Sequence, residues 1–177
     1  MAGVVWLTGL SGAGKTTLAR GLARRLGEAG VAAALLDAEE LRARWPQRYG
    51  HDPASRRAVL DRIVDEAAIE SGRGVVAVVA TISHLRSMRA SARARLRLFE
   101  VFVDCPPDVC ATRDAKGHWA RARAAKSTGA AGDYGCFPGV TEPYEAGEPD
   151  ARVDTASLDA ARALESVWPS VLAFARA

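Results

Sequence analysis

The chain has 177 residues, of which 49% are hydrophobic and 25% charged, with a net charge of +3, a balance that suits one domain with a sizeable core. No apolar run reaches the ~20 residues needed to cross a bilayer, and Met1 to Trp6 lacks the basic segment and long apolar stretch of a secretory leader, so a cytoplasmic location without membrane contact is expected. The basic residues are interspersed with acidic ones, which argues against the clustered stripe of a nucleic-acid footprint and suits a protein that handles phosphate-bearing ligands.

Gly3 to Thr8 is a short valine-rich run and predicts a buried strand. Gly9-Leu10-Ser11-Gly12-Ala13-Gly14-Lys15-Thr16 follows and fits the pattern G-x-x-x-x-G-K-S/T. Lys15 to Ala29 then carries Leu18, Leu22 and Leu26 at helical spacing, and Gly30 stops it. Strand, glycine loop and helix in this order make a phosphate-binding loop. Its glycines let the backbone N–H groups from Gly9 through Ser11, Gly12, Ala13 and Gly14 curl towards phosphate oxygens. The helix that opens at Lys15, Thr16 and Thr17 adds its positive end. Lys15 is placed to reach the β- and γ-phosphates of ATP, and the Thr16 hydroxyl to hold Mg²⁺.

Val31 to Asp37 predicts a second buried strand, Glu39 to Arg44 a short helix, and Trp45 to Pro53 a loop. Ala54 to Gly72 is a long helix marked by Val59, Ile63 and Ala67, and Gly74 to Ala80 an almost wholly apolar strand. Leu85 to Arg97 reads as a very basic helix, Leu98 to Asp104 as a fourth strand, and Pro106 to Arg113 as a helix with proline in its first turn. The three cysteines, Cys105, Cys110 and Cys136, form no C-x-x-C pair, so neither a zinc site nor a disulfide framework is expected. Cys105 and Cys110 read as small buried apolar residues. Gly117 to Ala125 is a second basic helix. Lys126 to Asp150 is rich in Gly, Pro, Thr and Tyr without periodicity, a long loop of the functional kind. Ala151 to Thr155 is a candidate fifth strand, and Ser157 to Ala175 closes the chain as an amphipathic helix. Strands alternating with helices predict an α/β fold, a parallel sheet covered on both faces, in a single domain spanning 1–177.

The phosphate loop alone does not distinguish a kinase from a hydrolase or a switch. No N/T-K-x-D guanine motif is present, and the Gly74 to Ala80 strand ends in Ala-Thr rather than in the Asp of a motor ATPase. A short chain with a basic segment that serves as a lid favours a small-molecule kinase.

Further segments carry a resemblance. Val5 to Thr17, Val101-Phe102-Val103-Asp104-Cys105-Pro106, Arg113-Asp114-Ala115-Lys116-Gly117, Pro143-Tyr144-Glu145-Ala146 and Val153-Asp154-Thr155 together resemble the adenylylsulfate kinases, from about Val4 to Thr155. The resemblance implies a P-loop kinase fold with a five-stranded parallel sheet flanked by helices, and a lid over about 114–150. It implies transfer of the ATP γ-phosphoryl group to the 3′-hydroxyl of adenylylsulfate, with Mg²⁺, in an enzyme that is commonly a homodimer. Arg113 and Lys116 are then ATP-binding, and a lid helix carrying them with Arg121 and Arg123 would close over the triphosphate.

The acceptor side departs from the family. Where the family has D-G-D-N-x-R, this chain has Asp37-Ala38-Glu39-Glu40-Leu41-Arg42, so Asp37 and Arg42 match and Glu39 keeps a carboxylate on a longer arm. Asp37 or Glu39 is expected to position the acceptor hydroxyl, with Lys15 as the third catalytic residue. The F-S-x-x-D-R and N-I-R-R segments become His51-Asp52-Pro53-Ala54-Ser55-Arg56 and Val59-Leu60-Asp61-Arg62. The I-S-P-Y segment becomes Ile82-Ser83-His84-Leu85, and the stretch from Gly129 to Gly139 is largely novel, with Phe137 as the candidate for stacking on the substrate. The acceptor pocket is thus expected to use Asp37, Glu39, Arg42, His51, Arg56, Ile82, Ser83 and Phe137. Because an arginine becomes Asp61, and Asp52 is gained, a different acceptor, such as a nucleoside, a sugar or another alcohol, stays open as the alternative. A nucleotide-binding protein without catalysis is the third reading, opposed by intact Lys15, Thr16 and Asp37.

Overall fold

The computed structural model describes residues 1–129 and 134–177. Five parallel strands form one sheet: β1 (Val4–Thr8), β2 (Ala33–Asp37), β3 (Val76–Ala80), β4 (Leu98–Asp104) and β5 (Ala151–Asp154), in the order β2-β3-β1-β4-β5. Alternate residues of each strand face opposite sides, and on the central strands β1 and β3 both sides are buried. Val5 and Leu7 of β1 and Val76 and Val78 of β3 join one core with Leu18, Leu22, Val167 and Val171. Those partners lie on α1 (Lys15–Glu28) and α7 (Ala160–Arg176). Val4, Trp6, Ala77 and Val79 join the other core with Leu41, Leu60, Ile63 and Met88. These lie on α2 (Ala38–Arg44), α3 (Pro53–Gly72) and α4 (Arg86–Arg93). Two-sided burial is why the strands read as continuous apolar runs rather than as alternations.

Two short helices complete the set among the described residues, α5 (Pro107–Thr112) and α6 (His118–Thr128). Gly117, with a φ of 69°, separates them, so Arg113 caps α5 and Lys116 sits in the turn instead of on one lid helix. The predicted helix at Leu85 to Arg97 is shorter, because after Arg93 the chain turns to bury Leu96 before β4 begins. Helix α6 runs past Ala125 to Thr128, which takes Lys126 out of the predicted loop. Helix α7 starts three residues later than predicted. The Asp154 carboxylate accepts from the N–H groups of Ala156 and Ser157 at 2.9 and 3.2 Å, which forms a turn before Asp159 caps the helix. The novel stretch from Gly129 to Gly139 lies partly outside the described residues, at 130–133. Among the described residues no helix is long and apolar enough to cross a membrane.

The chain leaves β1 for the β2 edge and later crosses back to place β4 on the other side of β1. Connections diverge on either side of the central strand, which opens a crevice at the carboxyl ends of β1 and β3.

Candidate active site

The crevice is a cavity of about 820 Å³, bordered by the loop after β1, by Asp37 to Arg42, by the start of α3, by the segment after β3 and by the α5–α6 turn. The loop between β1 and α1 is held close to the neighbouring chain. A Cβ at Gly9, with its φ of 153°, would stand 2.4 Å from the Val103 carbonyl oxygen, and one at Gly12, with a φ of 83°, 2.6 Å from that of Cys110. Only glycine fits either position, and the loop therefore wraps as a tight backbone cradle.

Lys15 Nζ lies across this cradle and donates to the Leu10 carbonyl at 2.8 Å. Burial pushes its ammonium down to about 8, against smaller opposing contributions from Cys110 and Asp37. A cation kept so far from water favours an anionic ligand. Cys110, packed behind the loop, is pushed up to about 12 by burial, so it remains a thiol. Thr16 Oγ1 donates to Asp37 Oδ2 at 2.5 Å. The other oxygen of Asp37 accepts from Glu39 N at 2.9 Å and Glu40 N at 3.3 Å, so the side chain that faces the loop also caps α2. A hydroxyl and a carboxylate so close together are hard oxygen donors of the type that Mg²⁺ takes, with its remaining positions left to phosphates and water.

Ser11, Gly12, Gly14, Lys15, Thr16 and Thr17 border the cavity, and so do Asp37, Glu39, Arg42, His51, Arg56, Ile82, Ser83, Arg113, Lys116 and Phe137. Gly9 and Ala13 do not. Gly9 is spent on the close passage by Val103, and the Ala13 amide donates back to Leu10 at 3.1 Å while its carbonyl accepts from Thr155. Lys116 forms an ion pair with Glu39 across the cavity mouth. Arg113 donates to the Thr155 carbonyl at 2.8 Å. Arg121 and Arg123 do not border the cavity: Arg121 binds the carbonyls of Lys116 and Gly117, and Arg123 pairs with Asp108 at 2.9 Å.

On the opposite wall, Arg56 donates to the carbonyls of His51 at 2.8 Å and Cys136 at 2.6 Å, which ties α3 to the segment carrying Phe137. Arg42 donates to the carbonyls of Tyr49 and Gly50 at 2.7 and 2.8 Å. Phe137 is buried edge-on to Trp119 with ring centroids 5.2 Å apart. Ser83 borders the cavity, yet its hydroxyl is bound to Trp6 Nε1 and Thr8 Oγ1 in the core, so it offers no side-chain contact to an acceptor.

Two acidic substitutions turn out to lie elsewhere. Asp61 pairs with Arg57 at 3.0 Å on the surface, and Asp52 caps α3 through Ser55. Neither borders the cavity. The expectation that they repel an anionic acceptor is corrected, because helix capping and surface pairing use both carboxylates. Glu40 likewise faces outward, paired with Arg20 at 2.5 Å. Sequence reasoning missed His84, Trp119 and Tyr134. Trp119 Nε1 donates to the Ser11 carbonyl at 3.0 Å, and Tyr134 OH meets His118 Nδ1 at 2.9 Å. No spacing rule singles out these residues, because their neighbours arrive from distant segments.

The family model described as adenylylsulphate kinase matches residues 1–154. An adenylyl-sulfate kinase of Paraburkholderia xenovorans is 43% identical over 145 residues, covering 81% of this chain and 77% of the relative. One from Rippkaea orientalis is 36% identical over 168 residues, covering 93% and 88%. Among solved structures, the Mycobacterium tuberculosis APS kinase CysC in complex with AMPPNP and APS superposes with a TM-score of 0.84 at 33% identity, over 96% of this chain and 97% of that one.

Proposed function

Because this chain belongs to the adenylylsulfate kinase family, we propose that it moves the γ-phosphoryl group of ATP to the 3′-hydroxyl of adenylylsulfate. It is an ATP-dependent kinase with a small-molecule acceptor. The observation that carries the reading is the cradle itself, in which a desolvated Lys15 ammonium and the Thr16–Asp37 pair converge at the end of β1.

The residues divide between the two ligands. Ser11 to Thr17 hold the triphosphate, with Lys15 on the β- and γ-phosphates. Thr16 and Asp37 hold Mg²⁺, which when bound neutralises charge on the phosphates. Arg113 and Lys116 close on the nucleotide from the α5–α6 turn. Arg42, His51 and Arg56 receive the anionic end of adenylylsulfate, and Phe137 and Ile82 receive its flat base. Asp37 is nearly buried and fixed at both oxygens, which suits it to orient the acceptor hydroxyl. In-line attack forms the bond from the 3′-oxygen to the γ-phosphorus and breaks the bond to the β–γ bridging oxygen. The hydroxyl proton leaves to the Asp37 or Glu39 carboxylate or to water, and ADP departs. The domain spans 1–177, acts in the cytoplasm and pairs as a homodimer, which light scattering coupled to size exclusion checks. The alternative acceptor loses the support it drew from Asp52 and Asp61, which are engaged outside the cavity.

Purified chain given ATP, Mg²⁺ and adenylylsulfate is expected to release ADP and 3′-phosphoadenylylsulfate in equal amounts. Lys15→Ala is expected to lose turnover with its thermal midpoint preserved. ADP release that another alcohol stimulates and adenylylsulfate does not would overturn the acceptor. Full turnover by Lys15→Ala would overturn the phosphate-loop assignment.

A further inference from the structure

After β3 the chain turns through Ser83 with a φ of 35°, the one positive φ at a residue other than glycine among the described residues. A residue with a Cβ adopts this conformation only when its surroundings hold it there. Here they do. The Ser83 hydroxyl is bound by Trp6 at 3.1 Å and donates to Thr8 at 2.9 Å. Its carbonyl accepts from Arg89 Nη1 at 2.8 Å, and Arg89 is itself buried and paired with Glu100 at 2.8 Å. The next carbonyl, that of His84, accepts from Glu145 N at 2.9 Å.

The turn puts His84 at the wall of the cavity, which Arg56, Val59, Leu60 and Met88 also border. His84 is only 4% exposed. Its Nδ1 is enclosed and has no hydrogen-bond partner, so Nε2 is the nitrogen left to meet a ligand. Burial, and after it the Arg56 guanidinium, pushes the imidazole down to about 4. At neutral pH the ring is therefore uncharged, with one donor and one acceptor nitrogen. The two ends of an adenylylsulfate make different demands. Its anhydride is anionic and suits the guanidinium groups of Arg42 and Arg56. Its purine is flat, uncharged and edged with donors and acceptors, which suits an uncharged imidazole among apolar side chains. The segment that this one resembles, I-S-P-Y, has proline at the position, which offers no side-chain polar atom.

We propose that His84 is a specificity-determining residue of the acceptor pocket, its Nε2 hydrogen-bonding the purine edge of adenylylsulfate. The proposal rests on the acceptor assigned above. The test compares His84→Leu, His84→Asn and His84→Gln, where the Gln amide reaches the position of Nε2 and the Asn amide only that of Nδ1. Loss of one such bond predicts a rise of about tenfold in the KM for adenylylsulfate in the Leu and Asn variants, with the KM for ATP and the thermal midpoint unchanged. The Gln variant is expected to stay within about threefold of the unmodified chain. An unchanged acceptor KM in the Leu and Asn variants overturns the proposal. So does an equal rise in both KM values, or a Gln variant no better than Leu. An unmodified chain that neither binds nor phosphorylates adenylylsulfate overturns the acceptor assignment and this proposal together. Turnover with unaffected variants overturns this proposal alone.

Discussion

Lys15 is charged against the preference of its surroundings, and that has a measurable consequence. Its ammonium falls from 10.5 to about 8 through burial. Between those values the unfolded chain holds the proton and the folded chain does not, so stability without nucleotide rises with pH across that window. A triphosphate laid against the ammonium restores the proton. ATP binding just above pH 8 is therefore expected to take up a proton, measured by calorimetry in buffers of different ionisation enthalpy. In Lys15→Arg, where the cation keeps its charge at any working pH, the uptake should vanish. Proton-neutral binding by the unmodified chain would contradict the desolvated-lysine account. Asp37 joins two tasks in one side chain, capping α2 and facing Thr16. The sequence motif flags the residue, and only the contact with Thr16, 21 residues away, explains its orientation.

Among the elements, the segment after β3 depends on a neighbour that no local rule identifies. Arg89 on α4 is buried, pairs with Glu100 on β4, and binds the carbonyls of Ser83, Glu145 and Ala146. Removing Arg89 from this buried pair leaves the Glu100 charge with the longer, partly exposed contact to Arg93 at 3.5 Å, so Arg89→Met is expected to cost up to about 3–5 kcal/mol in urea unfolding. Adding Glu100→Leu to Arg89→Met removes that charge and is expected to recover much of the loss. The double variant still lacks the clamp on Ser83, so its KM for adenylylsulfate should stay raised while its stability returns. Recovery of both together would mean that Arg89 serves stability alone. Sequence reading takes α4 as a basic helix and misses this role, because a buried arginine differs from a solvated one only in what lies opposite it. The early end of α4 has the same origin, since burying Leu96 requires a turn that helical spacing does not announce.

Across the whole molecule, the two walls of the cavity meet through Trp119. Its indole donates to Ser11 in the phosphate loop, its backbone N–H is held by Asp114 at 2.7 Å, and its ring meets Phe137. Trp119→Ala is expected to cost about 3–5 kcal/mol through the void it opens. Because both walls lean on the one ring, the KM values for ATP and for adenylylsulfate should rise together. Trp119→Phe keeps most of the packing and should show a smaller rise, concentrated on ATP, from loss of the bond to Ser11. A Trp119→Ala variant with ATP affected and the acceptor untouched would show that Phe137 stands independently.

Much of this protein is determined along the chain. Period and apolar runs suffice for strands and helices, because a strand buried on both faces and a helix with Leu18, Leu22 and Leu26 on one side bear those patterns locally. The phosphate loop is legible for the same reason: its chemistry is held within eight consecutive residues, Gly9 to Thr16. The acceptor wall is assembled from α2, α3, the turn after β3 and the segment around Phe137, and its side chains are chosen by neighbours far away in sequence. That is why Asp52 and Asp61 read as charges facing a ligand until the fold turned them to capping and surface pairing, and why His84 read as a lost proline until the fold brought it to the cavity wall. Spacing carries information over a few residues, whereas burial and partnership depend on contacts that exist only once the sheet has closed.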